Sequence, residues 1–83
     1  MPLLKMFRAY RDARRPRLVG TLSYEVTSHS ILADHPFQVK EYLYFYTTDR
    51  GRRSVKATDS GLKRQPAAVQ FLATGLLPDG ATV

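Results

Sequence analysis

The chain predicts a small α+β domain in the order α-β-β-β-α, with a three-stranded antiparallel sheet and both helices packed on one of its faces. Three observations carry that prediction. Residues 39–49 hold three tyrosines, a phenylalanine, a leucine and a valine without Gly or Pro, which suits a pleated, half-buried strand. Alternating segments flank this stretch, at 18–27 before it and 52–58 after it. Apolar residues at helical spacing stand towards both ends, over 3–14 and 66–74.

The first segment, residues 3–14, reads as an amphipathic helix. Leu3, Met6, Phe7, Tyr10 and Ala13 fall near i, i+3, i+4, i+7 spacing, while Arg8, Arg11 and Arg14 share a polar side. Pro2 suits its start, and Pro16 disfavours helical geometry at Arg15. An arginine-rich amphipathic stretch also suits an organelle-targeting peptide or an acidic membrane surface, but a solvated surface helix is the simpler reading. Over 18–27, Leu18, Leu22, Tyr24 and Val26 mark an apolar strand face, with Gly20 placed for a bulge. A loop with an apolar middle follows, in which Ile31 and Leu32 are expected to tuck under the sheet.

The central strand, 37–48, divides its side chains cleanly by alternation. Val39, Glu41, Leu43, Phe45 and Thr47 share one face; Lys40, Tyr42, Tyr44, Tyr46 and Thr48 share the other. The expectation is that at least two of the three tyrosines pack beneath a helix. Asp49, Arg50 and Gly51 form a short hairpin loop, Gly51 supplying a positive φ. The next strand, 52–58, is short and charged, which suits a sheet edge. Residues 66–74 then make a helix with Pro66 in the first turn and Gly75 as its stop, burying Val69, Leu72 and Ala73 with Ala68 and Phe71 at the margins.

Eighty-three residues make one domain, 1–83, whose core is small: such chains bury only about 60% of their unfolded surface. There is no cysteine, which fits the cytoplasm, another reducing compartment or the inside of a particle. No apolar run is long enough to span a bilayer and no apolar core of a secretory signal peptide opens the chain, so a membrane is not an expected partner.

The net charge is +6, and its placement says more than its size. Lys5, Arg8, Arg11, Arg14, Arg15 and Arg17 stand against Asp12 alone in the first block. Arg50, Arg52, Arg53, Lys56, Lys63 and Arg64 stand against Asp59 in the second. Between them the chain is mildly acidic. Arginine predominates, and its planar fork pairs bidentately with phosphate or carboxylate. The expected partner is a polyanion.

Catalytic patterns are missing: no nucleophile elbow, no phosphate-binding glycine loop and no metalloprotease helix can be found. His29, His35 and Asp34 do not have the spacing of a metal centre. The reading is therefore non-enzymatic, with no cofactor, no metal and no small-molecule substrate.

The order helix, three strands, helix, with Lys63-Arg64 before Pro66-Ala67-Ala68 and a histidine in Asp34-His35-Pro36, resembles the double-stranded-RNA-binding domain. The resemblance implies that Lys63 and Arg64 would bridge phosphates across a major groove and that His35 would reach a minor groove. It is mainly topological, since the family's longer basic pattern is shortened here and the Gly-Pro before the loop histidine is absent. The residues 46–52 also look like the hairpin wing of a winged-helix regulator, without the helix pair that precedes it.

Together these readings predict a basic protein that binds the phosphate backbone of RNA or DNA, as a subunit of a nucleoprotein assembly. Its contacts would come from Arg8, Arg11, Arg14, Arg15, Arg17, Arg50, Arg52, Arg53, Lys63 and Arg64. Tyr42, Tyr44 and Tyr46, if exposed, would stack unpaired bases. The alternative is a protein-interaction module, a small inhibitor or a structural subunit of a particle such as a viral one, which presents the same tyrosines and arginines to an acidic protein surface.

Overall fold

A computed structural model describes residues 15–29 and 34–83. The helix expected over 3–14, with Arg8, Arg11 and Arg14, lies outside the described residues, as do Ile31 and Leu32.

The described chain runs through three strands, β1 (Arg17–Ser28), β2 (Phe37–Thr47) and β3 (Arg53–Ala57), then a 3₁₀ turn (Ser60–Arg64) and a helix, α1 (Pro66–Thr74). The strands form one antiparallel sheet in the order β1-β2-β3, so the aromatic strand is central, as expected. Gly20 sits opposite Phe45 and Leu22 opposite Leu43, while Val55 and Ala57 face the same two residues from the other side. The register slips between Leu18 and Gly20, which is the bulge anticipated at Gly20. The slip is useful to packing: a Cβ on Gly20 would stand 2.9 Å from Leu77 Cδ2, so the tail after α1 lies directly against this bare backbone.

The core occupies one face of the sheet. Leu43, Phe45, Leu62, Ala68 and Phe71 are fully or almost fully buried, and Val19, Leu22, Tyr24, Val26, Val55, Ala57 and Leu77 pack around them. Phe45 and Phe71 meet at 4.9 Å between ring centroids with a 57° tilt, a geometry worth about 0.5–1.5 kcal/mol beyond area burial. Burial also pushes the Tyr24 hydroxyl above its ordinary pKa.

Two expectations are corrected here. The 3₁₀ turn is an element that the sequence reading passed over; Asp59 caps it by accepting from the Gly61 amide at 3.0 Å, and its Leu62 closes one side of the core. In α1 the buried pair is Ala68 and Phe71, whereas Val69 and Leu72 are 56% and 45% exposed. The stripe expected at Val69, Leu72 and Ala73 is thus rotated by one residue. Phe45 accounts for the choice: it is fully buried and needs a ring against it, which only Phe71 supplies.

The connections satisfy their own polar groups. In the β2–β3 hairpin Gly51 has φ +83°, as anticipated, and its amide donates to the Thr48 carbonyl at 2.9 Å. The Thr48 hydroxyl, itself buried, accepts from the Arg52 amide at 3.1 Å. On the outer side of β1, Thr21 exchanges two backbone hydrogen bonds with Thr82, at 2.9 and 2.8 Å. The C-terminal residues thereby cover part of the sheet edge.

Beyond Tyr42 the sheet narrows to two strands. The hydroxyl of Thr58 accepts from the Tyr42 amide at 2.8 Å and ends the β2–β3 ladder there. From Tyr24↔Glu41 to Ser28↔Phe37 the β1–β2 pairing continues as a ribbon without a third strand.

Candidate nucleic-acid interface

Strand alternation decides what the second face of the sheet carries. With Leu43 and Phe45 turned into the core, Tyr42, Tyr44 and Tyr46 must point the other way. Both helical elements lie on the core face, since Leu62, Ala68 and Phe71 cluster with Leu43 and Phe45. Neither α1 nor the 3₁₀ turn therefore covers the tyrosines; the other helix expected to pack on the sheet, over 3–14, lies outside the described residues. The tyrosines are half-buried, resting on one another and on their cross-strand neighbours.

The neighbours are mostly small and polar or cationic, with the exposed Leu18 opposite Tyr46. Ser23 pairs with Tyr42 and Thr21 with Tyr44 on the β1 side; Lys56 pairs with Tyr44 and Ser54 with Tyr46 on the β3 side. Small residues on either side leave the ring surfaces standing above the sheet. Tyr42 and Tyr44 are stacked, 6.1 Å apart at 26° between planes. The Lys56 ammonium lies over the Tyr46 ring, 5.5 Å from its centroid, within cation–π range. The exposed Lys40 lies on the same face by alternation. This face thus combines three aromatic rings with two ammonium groups and, opposite Lys40, the exposed Glu25 carboxylate.

The arginines divide into structural and available groups. Arg53 belongs to the fold: its Nε donates to the Leu72 carbonyl and its Nη2 to the Ala73 carbonyl, both at 3.1 Å, capping the C-terminus of α1. Its side chain also lies 3.1 Å from where a Cβ on Gly75 would stand, and Gly75 has φ +76°, so the helix stop and the cap fit one another. Arg53 is therefore removed from the predicted contact set. Arg17 pairs with Asp49 at 3.1 Å across the base of the sheet, an exposed ion pair of small energetic worth. Arg50 stands exposed at the hairpin tip.

Arg15, Arg52, Lys63 and Arg64 are exposed and form no ion pair with an acid among the described residues. Lys63 and Arg64 stand in the last turn of the 3₁₀ element rather than in α1, beside its terminal carbonyls. The expected contact set thus reduces, among the described residues, to exposed side chains on the hairpin, the 3₁₀ turn and the approach to β1.

Among the described residues, no group of three or more His, Cys, Asp or Glu is close enough to hold a metal ion. No described helix is long and apolar enough to cross a membrane. An open groove of about 510 Å³ runs beside the Thr21–Thr82 bridge, lined by Leu18, Val19, Gly20, Thr21, Thr82 and Val83, and it holds no titratable side chain. Comparison with protein-family models, with curated proteins and with solved structures returns no match.

Proposed function

We propose that the protein is a non-enzymatic nucleic-acid-binding subunit that engages the phosphate backbone through exposed cations. One observation carries the reading: Arg15, Arg52, Lys63 and Arg64 are exposed and have no acidic partner among the described residues, on a chain of net charge +6. Arg17, by contrast, is paired with Asp49. Unpaired guanidinium groups instead repel one another, and a polyanion relieves that repulsion while releasing its counterions. Backbone contacts of this kind bring affinity and orientation without reading sequence.

The reading is tested by fluorescence anisotropy with labelled single strands and duplexes across a salt series. Affinity should fall as salt rises, with a log–log slope of about −0.7 to −0.9 per phosphate neutralised. The variant R52Q/K63Q/R64Q should keep its fold and flatten that slope by about 2–3. Absence of binding at low salt would refute the proposal and leave an acidic protein surface as the partner.

A further inference from the structure

Resting on the phosphate-binding reading, we infer that the tyrosine-bearing face of the sheet, opposite α1, is a single-strand site, with Tyr42 and Tyr44 stacking an unpaired base and Lys56 holding the adjoining phosphate. Three features on that face point the same way. The stacked Tyr42–Tyr44 pair already has its rings at 6.1 Å, too close to admit a base between them, so a base caps an outer ring and extends an existing stack. Little ordering remains to be done, because both rings are held by neighbours on the sheet. The Lys56 ammonium is stationed over Tyr46 and is exposed, which puts a phosphate-binding charge one strand position from the stacked pair.

The polar surroundings select this ligand over an apolar one. Thr21 and Ser23 lie directly beside the stacked pair, Leu18 standing farther along opposite Tyr46, and a protein hot spot would be ringed by side chains that exclude water. A duplex cannot use the site, since its bases present only their edges in the grooves. Single strands offer a free π-face at every base, whatever the sequence.

The chain lacks tryptophan and three of its five tyrosines stand on this face, so most of the tyrosine emission comes from the site. The experiment titrates the full chain with oligothymidylate and with a duplex of equal length, following both intrinsic tyrosine emission and the anisotropy of a labelled strand. The single strand should quench tyrosine emission in step with the rise in anisotropy, and the duplex should not quench it. Y42L/Y44L, which keeps apolar bulk on the sheet, should weaken single-strand binding by about tenfold or more with an unchanged circular-dichroism spectrum. Y42F/Y44F/Y46F should bind within about twofold, because stacking needs the ring and not the hydroxyl, yet its remaining tyrosine emission should no longer respond. K56Q should lower affinity and reduce the salt slope by about one.

Binding without quenching, or equal affinity of Y42L/Y44L and the parent, would overturn the tyrosine site and leave the phosphate reading intact. No rise in anisotropy with either nucleic acid at low salt would overturn both.

Discussion

Arg53 shows how a charge can mislead when it is read from sequence. It belongs to a run of three cations around the hairpin tip, and by composition it looks like its neighbours Arg50 and Arg52. Its partners are the carbonyls of Leu72 and Ala73, some twenty residues away, and no local pattern could announce them. Gly75 was legible as a helix stop because that is a local property of the backbone; that the same glycine also leaves room for the Arg53 side chain was not. Replacing Arg53 with alanine should lower stability by about 1–2 kcal/mol in a thermal or denaturant melt, since two charge-assisted hydrogen bonds to a helix end are lost. Nucleic-acid affinity of the folded variant should hardly change, which separates Arg53 from Arg52.

Among the elements, the strands were legible and the helix face was not. The sheet elements announce themselves through alternation and turn chemistry, and the observed strands agree closely with the expected 18–27, 37–48 and 52–58. A nine-residue helix is too short to fix its own phase. Val69 with Leu72 and Ala68 with Phe71 are both i, i+3 pairs, and they differ by one step of rotation. Hydropathy favours the first pair. The sheet chooses the second, because small Ala68 lets the backbone of α1 approach while Phe71 reaches the buried Phe45 ring. Accordingly V69Q and L72Q should each shift stability by no more than about 0.5 kcal/mol, as exposed substitutions do. F71A should cost about 3–5 kcal/mol in the same melt. The reverse ranking would mean that α1 packs in the other phase.

At the scale of the whole molecule, the sequence separated the two faces of the sheet but not their fates. Alternation put the tyrosines opposite Leu43 and Phe45; which face would receive the helical elements depended on where Leu62, Ala68 and Phe71 came to rest. The described helix and 3₁₀ turn share one side, and the aromatic row lies on the other. The candidate site was thus half legible. Its residue types were visible, while its place on the side away from α1 and the pairing of Lys56 with Tyr46 were products of tertiary packing.

The point at which Thr58 closes the ladder on Tyr42 has a further consequence, in time rather than in space. On one side of it the amides of β2 belong to a three-stranded unit with the buried core behind it; on the other, Phe37–Glu41 are held by β1 alone. Tyr24 and Val26 tie the near end of this ribbon to the core, but a two-stranded ribbon still opens at less cost than the three-stranded unit. In native-state hydrogen exchange the hydrogen-bonded amides of 37–41 should therefore exchange orders of magnitude faster than those of 43–47, and only the latter should report global unfolding. The chain would then have two clocks on one strand, a fast one at its distal end and a slow one beneath the tyrosines. A base stacked on Tyr42 and Tyr44 would sit next to the boundary between them, and ligand binding should slow the fast clock first.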